Sequence, residues 1–458
     1  MKNKKILIIS SVLVFCWASH CFAAAQETTP AYKLSIDDAI GVAFKNNKDI
    51  QIQEQEINAA QAVILGARSK FLPKLNANAG YNYVDSVLTL PPSFSTGMKK
   101  DIGIYTGYRN DNQVGLELSQ NLFSGGANTA NLRQQQVKLR IQEETLRARK
   151  LDCEFETKRL YYGLLLAYET QRIAQNLLTQ AKSHYEDVKE KYGQGTTSRF
   201  DLLQSDVQVS RLMPELINAQ NAVNLIDADL KKLLGLRMQD LVVLKDRFLY
   251  SPIEIKETEF LETAYLDKPE MTLMALGVDL NQWSIEMAKA EDRPQVNVHL
   301  GYNYNSNNID DMINRRHNDW NAGISVSIPI FDGFSTKAKV DEAKVHYAQA
   351  RLAKENLADQ INVDIRRACL DLQNAQSVIL SQKDSIEEAK EALKIAQVSY
   401  DNGEATNLDV MDAQVALSQV EKNLSEGIYD YLMAEAYLNR TMGTSSINSK
   451  GILNEETN

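Results

Sequence analysis

Four segments of the chain alternate apolar and polar residues with a period of two, as β-strands with one apolar face do. The segments cover residues 73–84, 112–123, 294–305 and 320–331. Alternation over about ten residues suits a strand of a membrane β-barrel, and it also suits a half-buried sheet in a soluble domain. Aromatic residues near the strand ends favour the barrel; they are Tyr83, Phe123, Tyr304, Trp320 and Phe331. The small number of predicted strands, four in the whole chain, points the same way.

Between the strands, apolar residues recur at the alternating four-and-three spacing of coiled coils. The most regular run is Ile361, Ile365, Ala368, Leu372, Ala375, Ile379, Gln382, Ile386, Ala389, Leu393, Ala396 and Tyr400. Prolines are absent from residues 127–213 and from every position after Pro329. The pattern therefore predicts helices at residues 126–192, 198–236, 333–400 and 406–443, arranged as two antiparallel hairpins. Pro214, inside the second of these helices, predicts a kink there.

The two halves of the chain follow one plan. Residues 71–83 recur at 292–304, 221 positions later, and residues 114–123 recur at 322–331, 208 positions later. The offset of 208 then persists in four pairs: Tyr192 and Tyr400, Gly195 and Gly403, Asp201 and Asp409, Gly235 and Gly443. Each repeat is predicted to contain a helical segment, a strand, a loop, a second strand, a long helix, a turn and a return helix. The repeats occupy residues 26–240 and 241–443, and a polar tail follows at 444–458.

Composition restricts the class of protein. Only 9 of the 458 residues are proline and 21 are glycine, which fits long regular elements, while 24% charged residues exclude a protein built of membrane-spanning helices. Lys and Arg number 50 against 60 Asp and Glu, so the basic face of a nucleic-acid-binding protein is not expected. Residues 1–25 have the positive start, apolar stretch and small-residue end of a secretory signal peptide. The mature chain is therefore expected to be exported and acidic.

The predicted strands are too few to close a barrel, because about eight are needed. An open sheet edge in lipid would leave backbone groups without hydrogen-bond partners. If the barrel is correct, two, three or four copies must share one wall, and the sequence arithmetic does not choose among 8, 12 and 16 strands. The mature cysteines, Cys153 and Cys369, lie eight positions apart when the repeats are aligned. That is roughly 12 Å along a helix, so both thiols are predicted to be unpaired.

With this plan in place, the chain resembles the TolC-like outer-membrane efflux proteins. Residues 34–40 (LSIDDAI), 267–271 (DKPEM) and 328–333 (IPIFDG) carry the resemblance, which covers nearly the whole mature chain. It implies a mainly helical fold with a small β part: a homotrimer with a 12-stranded barrel in the outer membrane of a Gram-negative bacterium, and a periplasmic tunnel of coiled-coil hairpins. It also implies docking to an inner-membrane transporter through a periplasmic adaptor (membrane fusion) protein.

Asp409 and Asp412 are the main candidate functional residues. They lie three positions apart near the start of a predicted helix, where helix capping is an equally ordinary role for an acid. The resemblance implies that they form a ring of six carboxylates at the periplasmic entrance of a trimer. Such a ring would gate the channel and favour cations.

The resemblance also assigns Tyr400 and Asp201 to links between neighbouring hairpins that hold the entrance shut. From the sequence alone, Tyr400 equally suits the coiled-coil seam and Asp201 a helix start. Ala405 departs from relatives that have an arginine there to make such links. The hairpin tips are expected to contact the adaptor through Gly193, Gly195, Thr196, Gly403 and Thr406.

Catalysis is not expected. The mature histidines, at 184, 299, 317 and 346, are scattered, and the sequence contains no HExxH, GxSxG, CxxC or phosphate-loop motif. No cofactor and no metal site are predicted. The predicted function is therefore a passive export duct of a tripartite efflux or type I secretion system. A periplasmic coiled-coil scaffold or adaptor without a pore is the alternative. The sequence leaves open whether the cargo is a drug, a metal ion, a siderophore or a protein.

Overall fold

The computed structural model describes residues 31–83, 85, 88–90, 104–106, 110–306 and 318–445. The predicted signal peptide and nearly all of the predicted polar tail lie outside these residues. Most of the described chain is helical, as the sequence predicts.

The described residues contain eight α-helices, which form two sets of four. The first set is α1 (Ile36–Asn46), α2 (Lys48–Ser69), α3 (Ala127–Gly193) and α4 (Arg199–Leu234). The second is α5 (Glu257–Asp267), α6 (Pro269–Lys289), α7 (Ser335–Asp401) and α8 (Asn407–Met442). Adding 208 to the bounds of α3 and α4 gives the bounds of α7 and α8, residue for residue. The α4 helix continues through Pro214.

The described residues contain eight strands, so the expectation of only four is wrong. The strands are β1 (Ala31–Leu34), β2 (Lys74–Tyr83), β3 (Leu88–Leu90), β4 (Ile104–Thr106), β5 (Asn110–Ser124), β6 (Leu241–Leu244), β7 (Gln295–Ser306) and β8 (Asn318–Ser327). The additional strands form two separate pairs, β1 with β6 in parallel and β3 with β4 antiparallel. Each is three or four residues long, which is too short to display a period of two.

The strand predicted at 320–331 is also displaced, since β8 ends at Ser327. Pro329 lies two residues further on and has no N–H to donate to a ladder, which stops the strand before the predicted end. In the first repeat, β3 and β4 lie in the connection between β2 and β5.

The four long strands form one antiparallel sheet in the order β2-β5-β7-β8. The register places apolar residues in rows across the sheet; one row is Ala77, Leu116, Tyr302 and Trp320. In the single chain this apolar face is open, and Leu116 and Trp320 are 49% and 74% exposed. A contiguous exposed apolar face marks a surface that contacts lipid or another protein.

Three hydrophobic clusters hold the helices together in the described part of the chain. The first gathers residues of α1, α2, α3, α4, β1 and β6, the second gathers residues of α5, α7 and α8, and a small third cluster joins α3 to α4. Cys153 lies in the first and Cys369 in the second, both as free thiols, which confirms that they are unpaired. The predicted seam of α7 is buried from Ile361 to Ile379 and half-buried from there to the tip. The coiled-coil pattern is therefore confirmed over its whole length, with less cover near the tip.

The helices of the two hairpins are unequally covered. The α3 helix packs against both α4 and α8, whereas α7 packs on α8 and leaves its other side open near the tip. Of their 67 residues each, α3 buries 19 and α7 only nine. Of 36 residues each, α8 buries 13 and α4 eight. One chain thus has two covered inner helices, α3 and α8, and two partly uncovered outer ones, α4 and α7.

Within the part of the chain that the structure describes, no helix is both long enough and apolar enough to cross a membrane.

Candidate functional site

The candidate site lies at the tips of the two hairpins, where α3 turns into α4 and α7 turns into α8. Gly195 and Gly403 occupy equivalent places in these turns with φ of 77° and 78°. This left-handed conformation favours glycine, because residues with a Cβ are strained at such a positive φ. The five positions expected at the adaptor contact, Gly193, Gly195, Thr196, Gly403 and Thr406, are all exposed. The tips therefore offer open surface to other molecules.

Each turn ends in a capping box that starts the return helix. At the first tip, one carboxylate oxygen of Asp201 accepts hydrogen bonds from the Ser198 hydroxyl (2.6 Å) and backbone N–H (3.2 Å). At the second, Asp409 accepts from the hydroxyl (2.6 Å) and N–H (2.7 Å) of Thr406. The Ser198 and Thr406 hydroxyls hold the pKa of Asp201 and of Asp409, respectively, below the usual value for aspartate. Both acids therefore perform the capping role that the sequence allowed.

Asp412 lies one turn beyond Asp409 and is exposed. In the first hairpin the equivalent position holds Gln204, which is neutral and half-buried. The second tip thus has an additional exposed carboxylate that the first tip lacks.

Asn407, the first residue of α8, connects three helices and is only 3% exposed. Its side-chain oxygen is 2.7 Å from Nε2 of His184 on α3 and accepts a hydrogen bond from the Ser205 hydroxyl (3.2 Å) on α4. Its amide group donates to the Asp201 carbonyl and to the Gln204 side chain, both at 3.3 Å. Since the Asn407 oxygen only accepts, Nε2 of His184 is the donor of this hydrogen bond. Asn407 therefore joins the second hairpin to both helices of the first.

A second contact between the hairpins surrounds the Tyr400 ring. The His184 ring meets it edge-on, with centroids 5.3 Å apart, and the Lys191 ammonium lies 4.1 Å from its centroid. Lys191 also forms an ion pair with Asp401 at 3.0 Å. The Tyr400 hydroxyl is buried and has no hydrogen-bond partner among the described residues. An unpaired buried hydroxyl is unfavourable, which makes it a position where a further acceptor would stabilise the tip.

The structure brings two predicted residues, Tyr400 and Asp201, into one network through His184 and Asn407. Asp201 takes part through its backbone carbonyl, because its carboxylate is engaged in the capping box. Asp409 and Asp412 lie outside this network and are exposed.

Other members of the network, among them His184, Lys191 and Asn407, are not predicted from the sequence. The one feature of the sequence that could identify Asn407 is that a polar residue occupies the buried face of a return helix. Nothing in the sequence distinguishes Lys191 from the many other lysines on these helices. Groups of three or more His, Cys, Asp or Glu side chains able to hold a metal ion do not occur in the described ranges.

Comparison with known proteins gives a family and several relatives. The sequence profile of the family described as "Outer membrane efflux protein" matches residues 39–236 and 261–444. The chain is 22% identical over 408 residues to outer membrane protein TolC of Vibrio cholerae, which covers 88% of this chain and 89% of that protein. It is 23% identical over 418 residues to the alkaline protease secretion protein AprF of Pseudomonas aeruginosa, covering 89% of this chain and 84% of that protein.

Solved structures share the fold. The outer membrane protein VceC of Vibrio cholerae superimposes with a TM-score of 0.74 at 17% identity, over 90% of this chain and 96% of that chain. CusC, whose structures were reported in connection with folding and transmembrane channel formation, superimposes with a TM-score of 0.75 at 20% identity. The match covers 90% of this chain and 92% of that chain.

Proposed function

The chain belongs to the outer membrane efflux protein family, and from this premise we propose that three copies form an export duct across the outer membrane, gated at the hairpin tips. The sheet would lie in the membrane and the helices would extend into the periplasm. A closed wall of 12 strands would result, which exceeds the practical minimum of about eight. The family match and the open edges of the chain support this assembly together.

The internal repeat supports a specific strand pairing between neighbouring copies. Within one chain β5 of the first repeat pairs with β7 of the second, and Leu116 faces Tyr302. The equivalent pair in a closed ring is β8 of one copy with β2 of the next, which would place Ile324 opposite Tyr81. Ile324 and Tyr81 are 71% and 64% exposed in the single chain. Joining β8 to β2 would satisfy the backbone groups at both open edges, as lipid requires.

The exposed acids at the second tip support the gate. Asp409 and Asp412 both lie at the start of α8, and three copies would bring six carboxylates round one axis. A ring of carboxylates attracts cations and repels anions. The buried contacts of Asn407 and Tyr400 would hold the two hairpins of each copy together, so that opening requires the hairpins to separate.

The duct would complete a three-part system with an adaptor and an inner-membrane transporter, which would supply the energy. The exposed tips are the proposed adaptor contact. Two of the relatives are named for the secretion of proteases and another is named an outer membrane efflux protein. The names of these relatives therefore include both protease secretion and efflux.

Planar-bilayer recording of the purified protein tests the gate. Asp409→Asn combined with Asp412→Asn is expected to lower the preference for cations over anions several-fold, because the ring loses its charge. Asp384→Asn, which removes an exposed carboxylate of α7 away from the tip, is the matched control and should leave the preference unchanged. An unaltered preference in the double variant would remove the assigned role of these acids. A protein that gives no conductance at all would instead favour a scaffold without a pore.

A further inference from the structure

We propose that Arg199 of one copy forms a salt bridge with Asp412 of the neighbouring copy, so that an ion pair joins the copies at the entrance. This inference rests on the proposed assembly into a ring. It follows from comparing the two repeats position by position and from the contacts that they already make within one chain.

The contact between the hairpins of one chain serves as a template for the contact between chains. Within the chain, α3 of the first repeat packs against α8 of the second. Because α7 is equivalent to α3 and α4 is equivalent to α8, the same geometry repeated round a ring packs α7 against α4 of the next copy. These are the two helices that a single chain leaves partly uncovered.

The faces concerned are buried in one repeat and exposed in the other. On α8, the residues Asn407, Met411 and Gln414 are 3%, 7% and 4% exposed against the first hairpin. The equivalent residues of α4 are Arg199, Leu203 and Asp206, and all three are exposed. These α4 residues therefore occupy the positions that are buried on α8, but no helix of the same chain packs against them.

The template places the Arg199 side chain next to Asp412. Within the chain, Asn407 donates to the Gln204 side chain and to the Asp201 carbonyl. With the offset of 208 between the repeats, Arg199 is equivalent to Asn407 and Asp412 is equivalent to Gln204. The neutral hydrogen bond between Asn407 and Gln204 within one chain therefore corresponds to an ion pair between Arg199 and Asp412 of neighbouring copies. In the described part of the chain, neither Arg199 nor Asp412 has another ionic partner.

The surrounding residues make room for the longer arginine. His184, which contacts Asn407 from α3, is replaced by Ala392 at the equivalent position of α7, and Ala392 is exposed. Ser205 is likewise replaced by Ala413. The imidazole and hydroxyl that fill the space around Asn407 are therefore absent where Arg199 would enter, and a guanidinium suits the paired carboxylate.

The pair alters the charge of the entrance. In a trimer, three arginines would offset three of the six carboxylates, leaving Asp409 as the remaining net negative ring. The contact between copies would be ionic and sensitive to salt, whereas the contact within a copy is neutral. Ala405 contributes no side chain able to link the hairpins, so Arg199 would supply a link from the other side of the interface.

Chemical cross-linking tests the pair in the full-length, detergent-extracted protein. Arg199→Cys combined with Asp412→Cys, treated with a short bis-maleimide, is expected to give species of two and three linked chains on denaturing gels. Asn407→Cys combined with Gln204→Cys is the matched control, because the same reagent should join these positions within one chain without raising its mass. The single-cysteine variants control for the buried native thiols.

The outcomes separate this inference from the proposed function. A particle of three chains by native mass spectrometry, without linkage in the Arg199→Cys and Asp412→Cys variant, would overturn the ion pair and leave the duct standing. A particle of one chain would overturn both. Equal linkage in the Asp412→Cys variant alone would also overturn the pair, because Asp412 would then face its own copies across the axis.

Charge exchange gives a second measurement. Arg199→Glu and Asp412→Arg are each expected to raise the conductance of the resting channel several-fold, and the two together should restore it. Additive increases in the combined variant would contradict the pair.

Discussion

At the residue scale, two buried tyrosines fix the segments that connect the repeats. The Tyr161 hydroxyl donates to the Asp246 carboxylate (2.9 Å) and lies 3.0 Å from the Leu34 carbonyl. In the second repeat, Tyr431 donates to the Ser251 carbonyl at 2.8 Å. Burial, aided by hydrogen bonding to the Asp246 carboxylate, raises the pKa of Tyr161. Its hydroxyl therefore stays protonated and serves as a structural donor.

Tyr161→Phe should lower the free energy of unfolding by about 1–3 kcal/mol, because the Asp246 carboxylate loses the hydroxyl donor. Thermal unfolding followed by circular dichroism measures the effect. Tyr168→Phe, which removes a hydroxyl from an exposed position of the same helix, is the control. Equal melting temperatures for the two variants would show that the Tyr161 hydrogen bonds do not stabilise the fold.

The capping box at the second tip leads to a pH prediction. The Thr406 hydroxyl lowers the pKa of Asp409 below the ordinary value of 3.8. A carboxylate with a lowered folded pKa stabilises the fold above its unfolded pKa, and this contribution is lost as the pH falls through the folded value. Thr406→Ala removes the hydroxyl, so the pKa of Asp409 should rise.

Cation preference, recorded in bilayers while the pH is lowered from neutral towards 3, should consequently disappear at a higher pH in Thr406→Ala than in the parent protein. Ser198→Ala is the matched control, because it removes the equivalent hydroxyl from Asp201, outside the proposed ring. A shift of the same size in both variants would count against a special role for Asp409.

Individual contacts were less predictable from the sequence than the elements that carry them. The acid three positions after Ser198 and Thr406 identifies both capping boxes. In contrast, the contact of His184 with Asn407 joins residues 223 positions apart. Their meeting depends on how two hairpins pack, which no local pattern specifies.

At the scale of elements, the repeat allowed the long helices to be located to within one or two residues. Heptad spacing and the rarity of proline act over tens of residues, so the pattern is strong. The strands β1 and β6 were missed because four residues of parallel pairing leave no periodic trace. The end of β8 was misplaced because Ile328 and Ile330 continue the alternation beyond the point where Pro329 interrupts hydrogen bonding.

The uncovered face of α4 gives a prediction at this scale. Leu203→Glu places a charge where α7 of the next copy should pack, so the variant is expected to retain the helix content of the parent but to assemble poorly. Light scattering of the extracted protein measures the assembly, and circular dichroism checks the fold. The exposed residue Leu225, changed to Glu on the same helix but away from the tip, is the control. Full assembly of Leu203→Glu would show that this face remains free.

At the scale of the whole molecule, a single chain leaves surfaces unpaired that further copies could cover. Its sheet has two open edges, β2 and β8, and its outer helices each have an uncovered side. The sequence indicates this incompleteness through the four long strands, but it does not fix the number of copies, because closure depends on the angle between neighbours. The choice of three comes from the family, and the repeat indicates which surfaces meet.

The mass of the protein extracted intact from membranes tests the shared wall most directly. Native mass spectrometry of the detergent-solubilised protein should give a particle of three chains. That particle should dissociate into single chains only when its strands unfold, because the strand pairs between copies would match those within a copy. A stable, folded particle of one chain would contradict the shared wall, the gate and the ion pair between copies.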